Sequence, residues 1–179
     1  MESLKKSAEK ICSFYVSDWH LVTMILPYIN KELNEKANIT TVLEKDIKDN
    51  IKTLVLKLNL KNEKEILKID WKKCQGRKYT EITKKFSNLE ERNGKTNIVF
   101  VNGSKDYINS VNKNIEKLLK KGGNKFKNMK FKIINCYEVT EFNGNIKEIL
   151  DTHSKILNTA GEKYISEVFE GYSEVKEMC

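Results

Sequence analysis

Residues 11–16 form an apolar run broken by one serine, the pattern of a strand buried on both faces. Ser17 and Asp18 follow with N-cap chemistry. Val22, Ile25, Leu26, Ile29 and Leu33 then recur at spacings of three and four, the face of an amphipathic helix. Pro27 falls inside that face and is expected to kink or restart the helix. A second apolar run at 39–43 leads into a second stripe, Ile47, Ile51, Leu54, Val55 and Leu58. Strand, helix, strand, helix in this order predicts a parallel sheet with crossover helices.

The alternation continues to the end of the chain. Residues 66–71 alternate like a strand, 72–78 read as a basic loop around Gly76, and Tyr79, Ile82, Phe86 and Leu89 form a helical stripe. Residues 97–101 are the clearest strand, lying between Gly94 and Gly103. Ser104 is placed to cap a helix with the face Ile108, Val111, Ile115, Leu118 and Leu119, which Gly122 and Gly123 end. A further strand at 132–138, a turn at Asn143, Gly144 and Asn145, and a helix carrying Ile146, Ile149 and Leu150 lead to His153. Residues 155–157 return as a strand, and Tyr164, Ile165, Val168 and Phe169 close the chain as a helix or hairpin.

With 179 residues, 39% of them hydrophobic, the chain has enough apolar surface for one core. The expected architecture is a single doubly wound α/β domain over residues 11–170, with a mostly parallel sheet of five or six strands and flanking helices. Residues 1–10 are expected to be an arm or short helix, and 171–179 a loose tail. No apolar run reaches the length of a membrane span, and residues 1–10 are charged, unlike a signal peptide. These features predict a cytoplasmic protein with no membrane partner.

A phosphate-binding loop needs glycines between its first strand and helix, so that backbone N–H groups wrap the phosphates. The chain has no glycine before Gly76. Gly94, Lys95 and Thr96 mimic the end of such a motif, but they precede a strand, and Leu89 stands where the earlier glycine belongs. Nucleotide hydrolysis therefore has no visible apparatus. Ligands of open parallel sheets settle outside the carboxyl ends of the strands. The polar residues there are Ser17, Asp18 and His20, then Glu44, then Asn102 and Ser104, then Tyr137 and Glu138, with Tyr15 beside them. These define the candidate ligand pocket, although Ser17 and Ser104 also read as helix caps. Cys12, Cys74, Cys136 and Cys179 show no metal or redox spacing, and His20 and His153 are the only histidines, so no metal and no cofactor are expected. No nucleophile elbow or marked carboxylate pair is present, which points away from an enzyme.

The net charge of +8 is uneven: +13 over residues 1–137 and −5 thereafter. A basic body suits an anionic partner. Trp71, Lys72, Lys73, Arg77, Lys78 and Tyr79, within the basic stretches 61–85 and 113–132, offer the alternative of stacking on Trp71 or Tyr79 and phosphate contacts with nucleic acid.

Phe14 and Tyr15, a helix containing Pro27, Tyr28 and Ile29, and the closing set Tyr137, Glu138, Phe142, Asp151, Thr152 and His153 resemble the MEDS family of methanogen and methylotroph sensory domains. In that family the cysteine stands two residues before the tyrosine and a proline follows the histidine; here Cys136 adjoins Tyr137, and Ser154 follows His153. The resemblance implies a RecA/KaiC-like fold without a phosphate loop. It also implies a non-catalytic sensory or regulatory domain that binds a small molecule or a signalling protein, with His153 added to the pocket.

Overall fold

The computed structural model describes residues 8–89, 95–139 and 146–169. Along the chain, strand β1 (Glu9–Tyr15) leads into helix α1 (Asp18–Asn34), strand β2 (Asn38–Leu43) and helices α2 (Lys48–Leu58), α3 (Glu63–Lys68) and α4 (Lys78–Ser87). Strand β3 (Thr96–Gly103), helix α5 (Lys105–Lys121) and strand β4 (Lys130–Glu138) follow. Helix α6 (Ile146–Asp151), the hairpin of β5 (Lys155–Asn158) and β6 (Gly161–Tyr164), and the short α7 (Ile165–Val168) complete the described chain.

The strands make one sheet in the order β2-β3-β4-β1-β5-β6, parallel except for β6, which runs against β5. This is the expected doubly wound α/β architecture. From β1 the chain crosses to β2 at the far edge, works back through β3 to β4, and then passes over β1 to β5. The direction of winding therefore reverses between β1 and β4, and it is outside the carboxyl ends of the strands at such a reversal that open parallel sheets take up ligands.

Alternation along each strand divides the core into two layers. Ile11, Tyr15, Phe100, Ile134 and Cys136 pack beneath α1, α2 and α3. Cys12, Val99, Val101, Ile133 and Tyr137 pack beneath α4, α5 and α6. Helix α1 is apolar on much of its surface because it lies across the sheet centre, with Leu21, Val22, Met24, Ile25, Leu26 and Ile29 all buried. It continues through Pro27 without restarting there. Proline removes only the bond to the Thr23 carbonyl, while the buried side chains on either side hold the axis to the sheet.

Two other expectations need correction. Residues 66–71 are not a strand: Ile66 ends up inside α3, and the chain then extends through Ile69 to Trp71, whose indole N–H donates to the Ile66 carbonyl at 2.8 Å. Four apolar residues in six positions satisfy a helix period as well as a strand period. The deciding clamp is long-range, with Asn62 bonding to Asn30 and Asn34 of α1. At the N-terminus, Glu9 and Lys10 belong to β1, where Glu9 pairs with Lys155 at 3.3 Å and Lys10 with Glu116 at 2.8 Å. Residues 1–7 of the expected arm, the tail at 171–179, Gly94, Phe142 and the turn at 143–145 lie outside the described residues. Lys95 leads directly into β3, so it opens no helix.

The β2 edge is not left open. Cys74 donates its backbone N–H to the Leu43 carbonyl at 2.7 Å, and the Lys85 ammonium donates to the Thr41 carbonyl. Among the described residues no helix is long and apolar enough to cross a membrane.

Candidate ligand-binding site at the strand ends

Tyr15 is the last residue of β1, and alternation directs its ring to the α1 side of the sheet. The side chain is fully buried, and its hydroxyl has no hydrogen-bond partner among the described residues. Burial raises the phenol's pKa, and the nearby Cys136, Glu138, Asp18 and Glu44 raise it further, so the group is a neutral donor. The hydroxyls of Tyr28 and Tyr107 share this lack of a well-formed bond, but Glu162 stands within side-chain reach of the first and Cys74 of the second. Tyr15 has no such neighbour.

The loops around Tyr15 are set by short polar bonds. Ser17 caps α1 by accepting from the backbone N–H of His20 at 3.1 Å, and Val16 donates its N–H to His20 Nδ1 at 3.0 Å. His20 therefore carries its proton on Nε2 and serves to hold the β1–α1 turn. Asp18 opens the helix, where a carboxylate suits the dipole. Val16 and Trp19, in the turn after β1 and the first turn of α1, are left 61% and 50% exposed.

On the other side of the reversal, Asn102 accepts from the backbone N–H groups of Glu44 at 2.9 Å and Lys45 at 3.3 Å, pinning the loop after β2 to the end of β3. Gly103 has φ +142°, and a Cβ there would fall 2.7 Å from Glu44 Cβ; a side chain is excluded on both counts. The space lets Glu44 Oε1 accept from the Ser104 N–H at 2.9 Å, while Ser104 itself caps α5 by accepting from the Tyr107 N–H. Glu138, the last residue of β4, receives the Lys45 ammonium. Lys45 was not legible as a site residue; only its place directly after an apolar strand and Glu44 marks it.

No known protein family, curated protein or solved structure matches this chain. The site therefore rests on its own geometry. Tyr15, Ser17, Asp18, His20, Glu44, Asn102, Ser104 and Glu138 all belong to the ends of β1, β2, β3 and β4, as expected. Tyr137 and His153 do not face the same side. Alternation sends Tyr137 to the α5 layer, where it stacks on Phe14 at 5.9 Å and meets the His153 ring edge-on at 6.0 Å.

His153 is part of a closed buried network that periodicity did not reveal. Its Nδ1–H donates to the Ile149 carbonyl at 2.6 Å, and its Nε2 accepts from Asn135 Nδ2 at 3.0 Å. Asn135 and Asn112 exchange two amide bonds of 2.9 Å, and Asn112 also donates to the Ile108 carbonyl at 2.8 Å. Burial lowers the imidazole pKa to about 4, so His153 is neutral at physiological pH and is not a cation at the helix end. The available signal was two asparagines interrupting apolar patterns, one on the α5 stripe and one in β4.

The thiols are likewise protonated: burial pushes Cys12 up to about 12 and raises Cys74 and Cys136. Among the described residues no group of histidines, cysteines and acids is arranged to hold a metal ion. In the basic stretch, Trp71 is 2% exposed and sits in the core, so it offers no face for base stacking. Lys72, Lys73 and Arg77 remain exposed, and the Lys78 ammonium lies 4.7 Å over the Tyr107 ring.

Proposed function

We propose that this chain is a non-catalytic sensory or regulatory domain that takes up a small polar molecule, or a polar group of a signalling partner, in the crevice between β1 and β4. The observation that carries the reading is the Tyr15 hydroxyl, a buried neutral donor with no acceptor among the described residues, at the point where the winding of the sheet reverses. A buried polar group without a partner costs roughly 1–3 kcal/mol, and an incoming acceptor removes that cost. Lys45 and Glu138 supply a charged pair beside it, and Val16 and Trp19 an apolar lip. A sensory role is also what the resemblance to MEDS domains implies.

The local bonding of the two histidines and the burial of Cys12 and Cys136 support a non-catalytic reading. His20 and His153 each accept or donate in fixed local bonds, and the thiols are held protonated. For the nucleic-acid alternative, Trp71 lies in the core and leaves Tyr79, 37% exposed, as the stacking aromatic of the basic stretch.

The test is a native mass spectrum of the purified chain against its denatured mass, followed by ligand titration of the wild type and Tyr15→Phe. A retained small molecule, or a saturable ligand whose affinity drops about tenfold or more in Tyr15→Phe, supports the reading. Equal affinity in both proteins removes Tyr15 from the site.

A further inference from the structure

Beyond the β2 edge lies a second cleft of about 460 Å³, between the first turns of α2 and the chain leaving α3. It is separate from the proposed crevice between β1 and β4. Ile51 and Trp71, both core residues, form its floor, and the side chain of Leu67, 42% exposed, forms one wall. Around the rim stand Lys48, Lys52, Lys68 and Lys72, all exposed. Among the described residues, none of these four ammonium groups lies within ion-pair distance of a carboxylate. Asp70, the acid on the rim, lies 3.8 Å from Lys85 and accepts from the Lys72 backbone N–H at 3.1 Å.

Lysines alone would say little in a chain this rich in them. What sets the cleft apart is an apolar floor and wall enclosed by cations that have no counter-charge of their own. Lys48 and Lys52 stand four residues apart on α2, where like charges repel along one helix face. The volume falls in the range of small-molecule sites and suits a compact body more than an extended strand. We infer that this cleft binds a small organic anion with an apolar body, of the aryl phosphate or aryl sulfonate class. The body packs against Leu67 above the buried edges of Ile51 and Trp71, and the anionic head sits among the four ammonium groups.

The test is calorimetric titration of the full chain with 1-naphthyl phosphate at low ionic strength, with inorganic phosphate and 1-naphthol as half-ligands. One molecule of naphthyl phosphate is expected to bind per chain, each half-ligand at least about tenfold more weakly, and the affinity is expected to fall as salt is added. The double substitution Lys52→Gln with Lys68→Gln, and separately Leu67→Asp, should each weaken binding about tenfold, and neither alters a buried side chain. Tyr15→Phe should leave it unchanged, which separates this site from the crevice. Absence of naphthyl phosphate binding overturns the inference, and so does equal affinity in the lysine double variant. Inorganic phosphate binding as tightly as naphthyl phosphate also overturns it, by reducing the cleft to a charged surface. Selective capture of a single-stranded oligonucleotide without naphthyl phosphate binding would reassign the lysines to nucleic acid.

Discussion

Two buried polar sites on opposite faces of the sheet, the Asn112–Asn135–His153 cluster and Tyr15, are satisfied to different degrees. On the α5 side, Asn112, Asn135 and His153 satisfy one another and the carbonyls of Ile108 and Ile149. On the α1 side, at the carboxyl end of β1, the Tyr15 hydroxyl is buried with no partner among the described residues. A closed network ties α5, β4 and the chain after α6 into one arrangement, whereas an open donor weakens the fold and leaves one bond for something else to make. Burial alone does not mark a functional residue. The same degree of burial serves structure where the bonds are complete and points to binding where one is missing.

The contrast breaks first at Asn135. Asn135→Leu leaves the Asn112 amide and the His153 imidazole buried without their partners, and is expected to cost on the order of 3 kcal/mol in urea unfolding. A loss under 1 kcal/mol would mean that water replaces the network.

The next effect is in pH. Folded His153 has a pKa of about 4, against about 6.5 for an unfolded histidine, so between those values the unfolded chain binds more protons. Its contribution is complete above about pH 6.5 and is lost as the pH falls toward 4. Stability should drop by about 2 kcal/mol from pH 7 to pH 5, and the drop should be much smaller in His153→Gln. Equal pH profiles in the two proteins would show that the imidazole titrates normally in the fold.

Gly103→Ala tests the frame of the crevice and not its donor. A methyl group at φ +142°, 2.7 Å from Glu44 Cβ, should cost about 1–2 kcal/mol and release the Glu44 bond to Ser104. An unchanged melting temperature would show that the loop after β2 yields freely.

The smallest shift should come from Tyr15→Phe, and its sign sharpens the comparison most. Removing an unsatisfied hydroxyl should leave stability unchanged or raise it by up to about 1 kcal/mol, the opposite of the Asn135 result. A loss of 1 kcal/mol or more would mean that the hydroxyl already has a structural partner.

Much of the fold was legible because its signals are local. The strand at 97–101, the caps at Ser17 and Ser104, and the stripe from Ile108 to Leu119 needed only near neighbours to be recognised. Residues 66–71 failed because the choice between helix and strand was made by Asn62 gripping α1, thirty residues away in the chain. The candidate site was legible as a set of strand ends and not as a set of facing side chains.

By itself the sequence determined the alternation of strands and helices, the parallel sheet, and the absence of a glycine-rich phosphate loop after β1, since each depends on residue type at short spacing. Tertiary structure alone decided the strand order, and with it the reversal of winding between β1 and β4. It also decided that Trp71 is core, that Tyr137 and His153 lie across the sheet from Tyr15, and that two distant asparagines complete each other's bonds. These outcomes depend on which segments meet and which face each side chain takes, and the energy that settles them comes from contacts between residues far apart in the chain.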